Sequence, residues 1–352
     1  MEWLLVTVVT EAALAFVLGA TLEVGAGQDL AQALARARPG DVVRLGAGEH
    51  RAALGRRSGI AVEGAGAGTT VVVAPEGEDG LVATGEVILR GLTLRAGAGR
   101  CGLKVMGGTA RLEDVALSGG ACGAFVDGGR VDGRAVELRG EYGLLLRAGR
   151  VSLDGGSARA WGAGIGLLGG EVALRRYDIV GPAREAGISV AGGTLALEAV
   201  TLRAPGPSGI AISANGRVDG AAVTIAGAVE HQGFLGDCIQ VRSGALRLAG
   251  ATLVGCAGAA VEASGGDVSL RGVDATGGAA GCLVFVDGAE AALEGNLCAG
   301  RGPGLVLASG AHATAVANRW WTDPVLWVDC GSGARVKLGR GETAREPCAA
   351  PR

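Results

Sequence analysis

The residues best suited to chemistry gather between His231 and Glu262. Asp237, Gln240 and Arg242 lie two or three residues apart, His231 precedes them and Glu262 follows. A carboxylate pair with an arginine beside it suits proton transfer, or β-elimination on an acidic polysaccharide, because one group moves the proton while the cation steadies the developing negative charge. The alternative is a solvated loop with ordinary surface charge. A second cluster joins Arg175-Arg176-Tyr177-Asp178 and Arg184-Glu185 to Tyr142, Trp161 and Glu141. Tyr142, Trp161, Tyr177 and Arg184 could form a sugar-binding edge; the alternative is an ion-paired corner. Other candidates fall away. Gly64-Ala65-Gly66-Ala67-Gly68 leads into Thr69-Thr70-Val71-Val72-Val73, a strand pattern, so no helix N-terminus follows to hold a phosphate. His50 and His312 are isolated. No Cys-x-x-Cys and no Cys/His cluster supports a metal, and no cofactor motif is present.

These residues must be positioned by a repeat of about 22 residues that runs through most of the chain. It reads Gly-x-φ-x-φ-x-Gly-Gly-x-φ-x-φ, with φ apolar, as at Gly102-Leu103-Lys104-Val105, Gly187-Ile188-Ser189-Val190 and Gly304-Leu305-Val306-Leu307. If the residue before the anchor Gly is position 1, coils begin at Asp79, Cys101, Cys122, Tyr142, Ala163, Ala186, Ser208, Asp237, Ala259, Gly281 and Pro303. Positions 3 and 5 are apolar throughout, which predicts a strand with one face buried. Two further alternations follow in each coil, as at Val268/Leu270 and Val200/Leu202. Three short strands per coil, joined by Gly-rich corners, predict an all-β chain folded as one parallel β-helix. Positions 1, 4 and 6 should then face outward and stack in ladders. The coil from Ser208 takes 29 residues to reach the next, against 20–23 elsewhere, and the extra segment 228–236 runs straight into Asp237. Loops longer than the scaffold needs are where function concentrates.

Residues 28–38 carry apolar positions at Leu30, Ala33, Leu34 and Ala37, predicting a short amphipathic helix stopped by Pro39-Gly40. With Pro39-Gly40-Asp41-Val42-Val43-Arg44-Leu45-Gly46-Ala47-Gly48 after it, this segment resembles the amino-terminal cap of pectin lyase-like β-helix proteins. Asn318-Arg319-Trp320-Trp321-Thr322-Asp323-Pro324 resembles the Asn-x-Trp-Trp…Pro segment that often closes such helices. The resemblance implies a right-handed helix over residues 21–325, an N-terminal capping helix, and a Trp- and Cys-containing C-terminal cap over 326–352. Within the family, Gly236-Asp237-Cys238-Ile239-Gln240-Val241-Arg242-Ser243-Gly244 is similar to the Gly-Asp-Asp-Cys-Ile segment of polygalacturonases. One of the paired Asp is Gly236 here, Gly206-Pro207-Ser208 stands for the upstream Asn-Thr-Asp, and Ala257-Gly258-Ala259 stands for Gly-His-Gly. Inverting hydrolysis needs an acid and a base flanking the bond, so polygalacturonase activity is not expected.

Composition narrows the remaining classes. Gly is 67 of 352 residues without a Gly-X-Y triplet, and apolar residues are 49%, which excludes collagen and disorder. A net charge of −3 with both signs scattered gives nucleic-acid binding no electrostatic support. Residues 1–20 read as a signal peptide or membrane anchor, although Glu11 interrupts the apolar run and no Lys or Arg precedes Arg36. The alternative is a strand or helix over the first coil. The eight cysteines form consecutive pairs 21, 18, 16 and 18 residues apart, close to one repeat. Either stacked neighbours form disulfides in an oxidising compartment, or free thiols pack as small apolar groups. The expectation is a secreted, periplasmic or cell-surface scaffold that binds polysaccharide or another surface partner without clear catalytic machinery. The competing expectation is a polysaccharide lyase or glycosidase using Asp237, Arg242, Glu262 and His231. Outward Phe125, Leu145, Val284 and Val306 leave a structural oligomer as a third.

Overall fold

The computed structural model describes residues 19–181, 184–230 and 236–342. It is an all-β parallel solenoid. Every strand pairing is parallel and joins residues roughly one coil apart, as in Ile188↔Ile210, Ile210↔Ile239 and Ile239↔Val261. Three columns of strands result. The first contains Cys101–Val105, Ser208–Ile212, Asp237–Val241 and Ala259–Ser264; the second contains Thr194–Glu198, Arg217–Ala221, Ala245–Ala249 and Asp267–Arg271; the third contains Thr201–Arg203 and Thr224–Ala226. Residues at positions 3 and 5, such as Leu103, Val105, Ile165, Leu167, Ile239 and Val241, are fully buried, and they merge into one core along the whole axis. The helix spans Leu30–Arg36, capped by Asp29, which accepts from the Gln32 N–H at 3.0 Å; Leu30 and Leu34 enter the same core.

The outward expectation for position 1 is corrected. Cys101, Cys122, Ser208, Asp237 and Ala259 are buried, because the chain leaving the third column folds over the start of the first. The anchor Gly has the same cause. A Cβ at Gly209 would sit 2.5 Å from Ile225 Cγ2, and one at Gly164 2.5 Å from Ile179 Cγ2. Both neighbours are third-column residues.

Three disulfides lie wholly among the described residues: Cys101–Cys122, Cys238–Cys256 and Cys282–Cys298. Only the first joins stacked neighbours, Cys101 and Cys122 being register partners. The other two close a single coil on itself. Cys238 and Cys282 stand where other coils carry the anchor Gly; Cys238 reaches the exit of its own third strand and Cys282 reaches Cys298 within its own, which is why their spacings fall short of a full repeat. Cys348 lies outside the described residues, as do residues 1–18 of the expected leader. Near the C-terminal end, Trp320 is half-buried and donates to Glu342 at 2.8 Å. Trp321 and Trp327, expected to pack as well, are 69% and 49% exposed.

The turn between the second and third columns is a single left-handed residue in coil after coil: Asp114 at φ 52°, Ala135 at 52°, Arg176 at 48°, Ala199 at 53°, Ala222 at 52° and Ala317 at 55°, with Gly at the same place elsewhere. An L-residue there costs about 1–2 kcal/mol, less what glycine loses in chain entropy. Ala199 is exposed, so no packing opposes its removal. Ala199→Gly should therefore stabilise the protein by about 0.5–1 kcal/mol, read as a higher urea midpoint; an unchanged or lower midpoint would show that stacking has already relieved the strain.

Candidate functional site

Asp237 opens its coil directly after the long insertion. Gly236 holds φ 79° there, and a Cβ on it would lie 2.7 Å from the Val229 carbonyl carbon, so the chain can turn into the first column only through glycine. Val229 is anchored by its N–H to Gly206 O at 3.1 Å. His231 lies outside the described residues.

Asp237 is 3% exposed. Its Oδ1 accepts from the Ala259 N–H at 2.6 Å, and the Glu262 carboxyl is a charged neighbour one coil on. Burial, then the Glu262 carboxyl, pushes the Asp237 carboxyl up to about 7, while the Ala259 N–H pulls the other way. The same corner elsewhere shows what is unusual. Asp79, also at position 1, accepts from the Cys101 N–H at 2.9 Å and pairs with Lys104 Nζ at 2.9 Å. Lys104 and Glu262 both occupy position 4 of the following coil. One corner is thus an ion pair and the other sets two carboxyls near each other, which favours the protonated form of the buried one.

Gln240 is the register neighbour of Glu262 and is half-buried. Arg242 lies two residues further along the same face, exposed and without an ion pair among the described residues. Asp237, Gln240, Arg242 and Glu262 therefore do occupy neighbouring strands. Paired-carboxylate hydrolysis needs two groups about 5–5.5 or 6.5–9.5 Å apart with the glycosidic bond between them, whereas Asp237 is buried away from any such bond.

The second cluster divides. The Tyr142 hydroxyl donates to Glu185 Oε1 at 3.1 Å, and burial followed by Glu185 raises its pKa. Trp161 is 48% exposed, and its carbonyl accepts from the exposed Arg184 at 2.8 Å. Tyr177 belongs elsewhere, and its expected role at a sugar-binding edge is corrected. It is fully buried, with its hydroxyl shared between the carbonyls of Val136 (3.0 Å) and Ser157 (2.9 Å). The left-handed Arg176 turns it inward, and its register partner is Gly156, which leaves room for the ring. Among the described residues no group of three His, Cys, Asp or Glu side chains is placed to hold a metal ion.

A feature absent from the sequence reading runs down the outer face of the second column. One outward register position alternates in charge over nine coils: Glu23, Arg44, Glu63, Arg90, Glu113, Arg134, Asp154, Arg175 and Glu198. Arg90 is bracketed by Glu63 at 3.0 Å and Glu113 at 3.3 Å. Ala221 and Ala249 then interrupt the column, which resumes at Arg271 and Glu294. Two open grooves lie on this face. One of about 640 Å³ includes Arg90, Arg111, Asp132 and Arg134; the other, of about 590 Å³, includes Arg175, Glu198, Ala221, Arg247, Ala249 and Arg271. Phasing the second strand as carefully as the first, and reading this position from coil to coil, is the signal that reveals the column.

No family model and no curated protein matches the chain. Among solved structures it is similar to the PL6 family alginate lyase AlyGC, at 14% identity and a TM-score of 0.40 over 91% of this chain and 52% of that one. The chain thus spans about half the length of that lyase. It is also similar to the A-module of the Azotobacter vinelandii mannuronan C-5 epimerase AlgE6, at 12% identity and a TM-score of 0.37 over 85% of this chain and 91% of that one. The third is the catalytic domain of a GH87 alpha-1,3-glucanase, at 11% identity and a TM-score of 0.43 over 92% of this chain and 68% of that one. On the register of its own coils, this chain is a parallel β-solenoid, consistent with the pectin lyase-like β-helix that its sequence resembles.

Proposed function

We propose that this protein is an extracytoplasmic β-helix scaffold that binds polysaccharide without cleaving it. The observation that carries the reading is the grooved outer face of the second column, where charged and hydroxyl side chains recur at every coil over an open surface. A solenoid offers a repetitive ligand the same contact at a spacing of about 4.8 Å. Three disulfides support an oxidising location, whether secreted, periplasmic or on the cell surface. The burial of Asp237 speaks against glycosidase chemistry at the corner where sequence pointed to it.

One observation favours the enzyme reading. A carboxyl held near neutrality, with Arg242 exposed on the same strand, is what proton transfer to an acidic glycan would use. A glycan array, together with reducing-end and unsaturated-product assays on wild type and Glu262→Gln, separates the two. The expected result is glycan retention with no turnover in either protein. Turnover by wild type that disappears in Glu262→Gln would reverse the assignment.

A further inference from the structure

The interruption at Ala221 and Ala249 keeps the phase of the charge column. Counting on from Glu198, alternation calls for a cation at 221, an anion at 249 and a cation at 271, and Arg271 is indeed present. Two rungs are therefore missing from an otherwise regular series, not a shifted one. Arg90 shows that an arginine in this column takes a carboxylate on each side. Arg271 has one, Glu294 at 2.6 Å, and faces the bare Ala249 on the other. Arg247 stands two residues before Ala249 on the same face of the same strand. It is exposed and has no ion pair among the described residues, because its register neighbour Asp219 is bonded to Arg217 at 2.8 Å instead.

Resting on the polysaccharide-binding reading, we infer that the seat over Ala249 is a carboxylate subsite for a uronate-containing glycan, with Arg247 and Arg271 as its receptors. The missing anion of the column is supplied by the ligand. Two absent rungs leave a seat about 10 Å long, floored by alanine methyls. The apolar face of a sugar ring rests on such a floor while its hydroxyls reach Glu198 and Asp219. An acidic peptide strand fits less well. The backbone groups of Arg217–Ala221 and Ala245–Ala249 are spent on the coils to either side, so the face offers no free main-chain partners.

The test is calorimetric titration at low salt with an oligogalacturonate and with a neutral glucose oligomer of equal length, on wild type, Ala249→Glu and Arg247→Gln. Ala249→Glu fills the seat with the chain's own carboxylate. Wild type should bind the oligogalacturonate at least about tenfold more tightly than the neutral oligomer, and each variant should lose about tenfold or more. Should Ala249→Glu fail to fold, the exposed Arg247→Gln decides alone. Variants that bind the uronate like wild type, while a glycan array still reports a ligand, overturn the subsite and leave the scaffold reading standing. No glycan bound by wild type overturns both. A wild-type dimer that Ala249→Glu dissociates, with no uronate binding, also overturns the inference and assigns the seat to an acidic side chain of a second copy.

Discussion

Exchanging Glu262 for lysine should abolish most of the loss of stability that the wild-type protein shows between about pH 4 and pH 7, and should raise stability at neutral pH by an amount on the order of a few kcal/mol. Asp237 holds its proton up to about 7 in the folded chain, against 3.8 ordinarily. Below the ordinary value both states are protonated and the group contributes no pH dependence. Between the two values the unfolded chain has released the proton and the folded chain has not. The unfolded state is therefore favoured more with each step upward in pH, and stability falls until the folded group also titrates near 7. Above that it levels off, with a buried carboxylate facing a like-charged neighbour. Glu262→Lys recreates the Asp79–Lys104 pair on an identical backbone corner, so the carboxylate gains a counter-ion. Glu262→Gln should flatten the profile less, since it removes the neighbouring charge and leaves the burial, the larger cause. Urea titrations at several values from pH 4 to 8 measure this directly. Parallel profiles for wild type and Glu262→Lys would mean that Asp237 is not held protonated.

The second large effect concerns the coil-closing disulfides. Removing Cys238–Cys256 as a double serine variant should cost about 3 kcal/mol, from the entropy of the loop that it closes in the unfolded chain. The bond also ties the coil that follows the long insertion, where the anchor Gly is absent. Cys238→Gly with Cys256→Ala loses the same cross-link but restores the glycine that most coils use. It should be the less damaged of the two, because the sulfur-sized space at Gly209 and Gly164 is filled by third-column side chains. Equal losses in both double variants would assign the whole effect to the unfolded chain.

Much of this architecture is legible in the sequence because its signals are local. Alternation at positions 3 and 5 is a property of five neighbouring residues, and an anchor Gly is marked by its own lack of a side chain. The inward faces and the coil period follow from such signals, whereas the cysteine spacings leave disulfides and packed thiols both open. The turn into the third column is not legible. Ala135, Arg176, Ala199 and Ala222 carry no turn signature, and their left-handed backbone follows coils that have Gly or Asp at the same place. Tyr177 is misread for the same reason: that turn points it into the core.

What the sequence alone determined is the repeat and, through it, a parallel solenoid with Asp237 at the end of its one long insertion. What only the tertiary structure decided is which side chains meet between coils. Coil lengths vary from 20 to 29 residues, so the partner of a given residue is set by register, at a spacing of about 4.8 Å, and not by a fixed count along the chain. Register turns Lys104 into a counter-ion and Glu262 into a like-charged neighbour of the same kind of aspartate. It closes two disulfides within coils rather than between them. It also builds an alternating column from residues some 20 to 30 apart, and leaves that column open over Ala221 and Ala249.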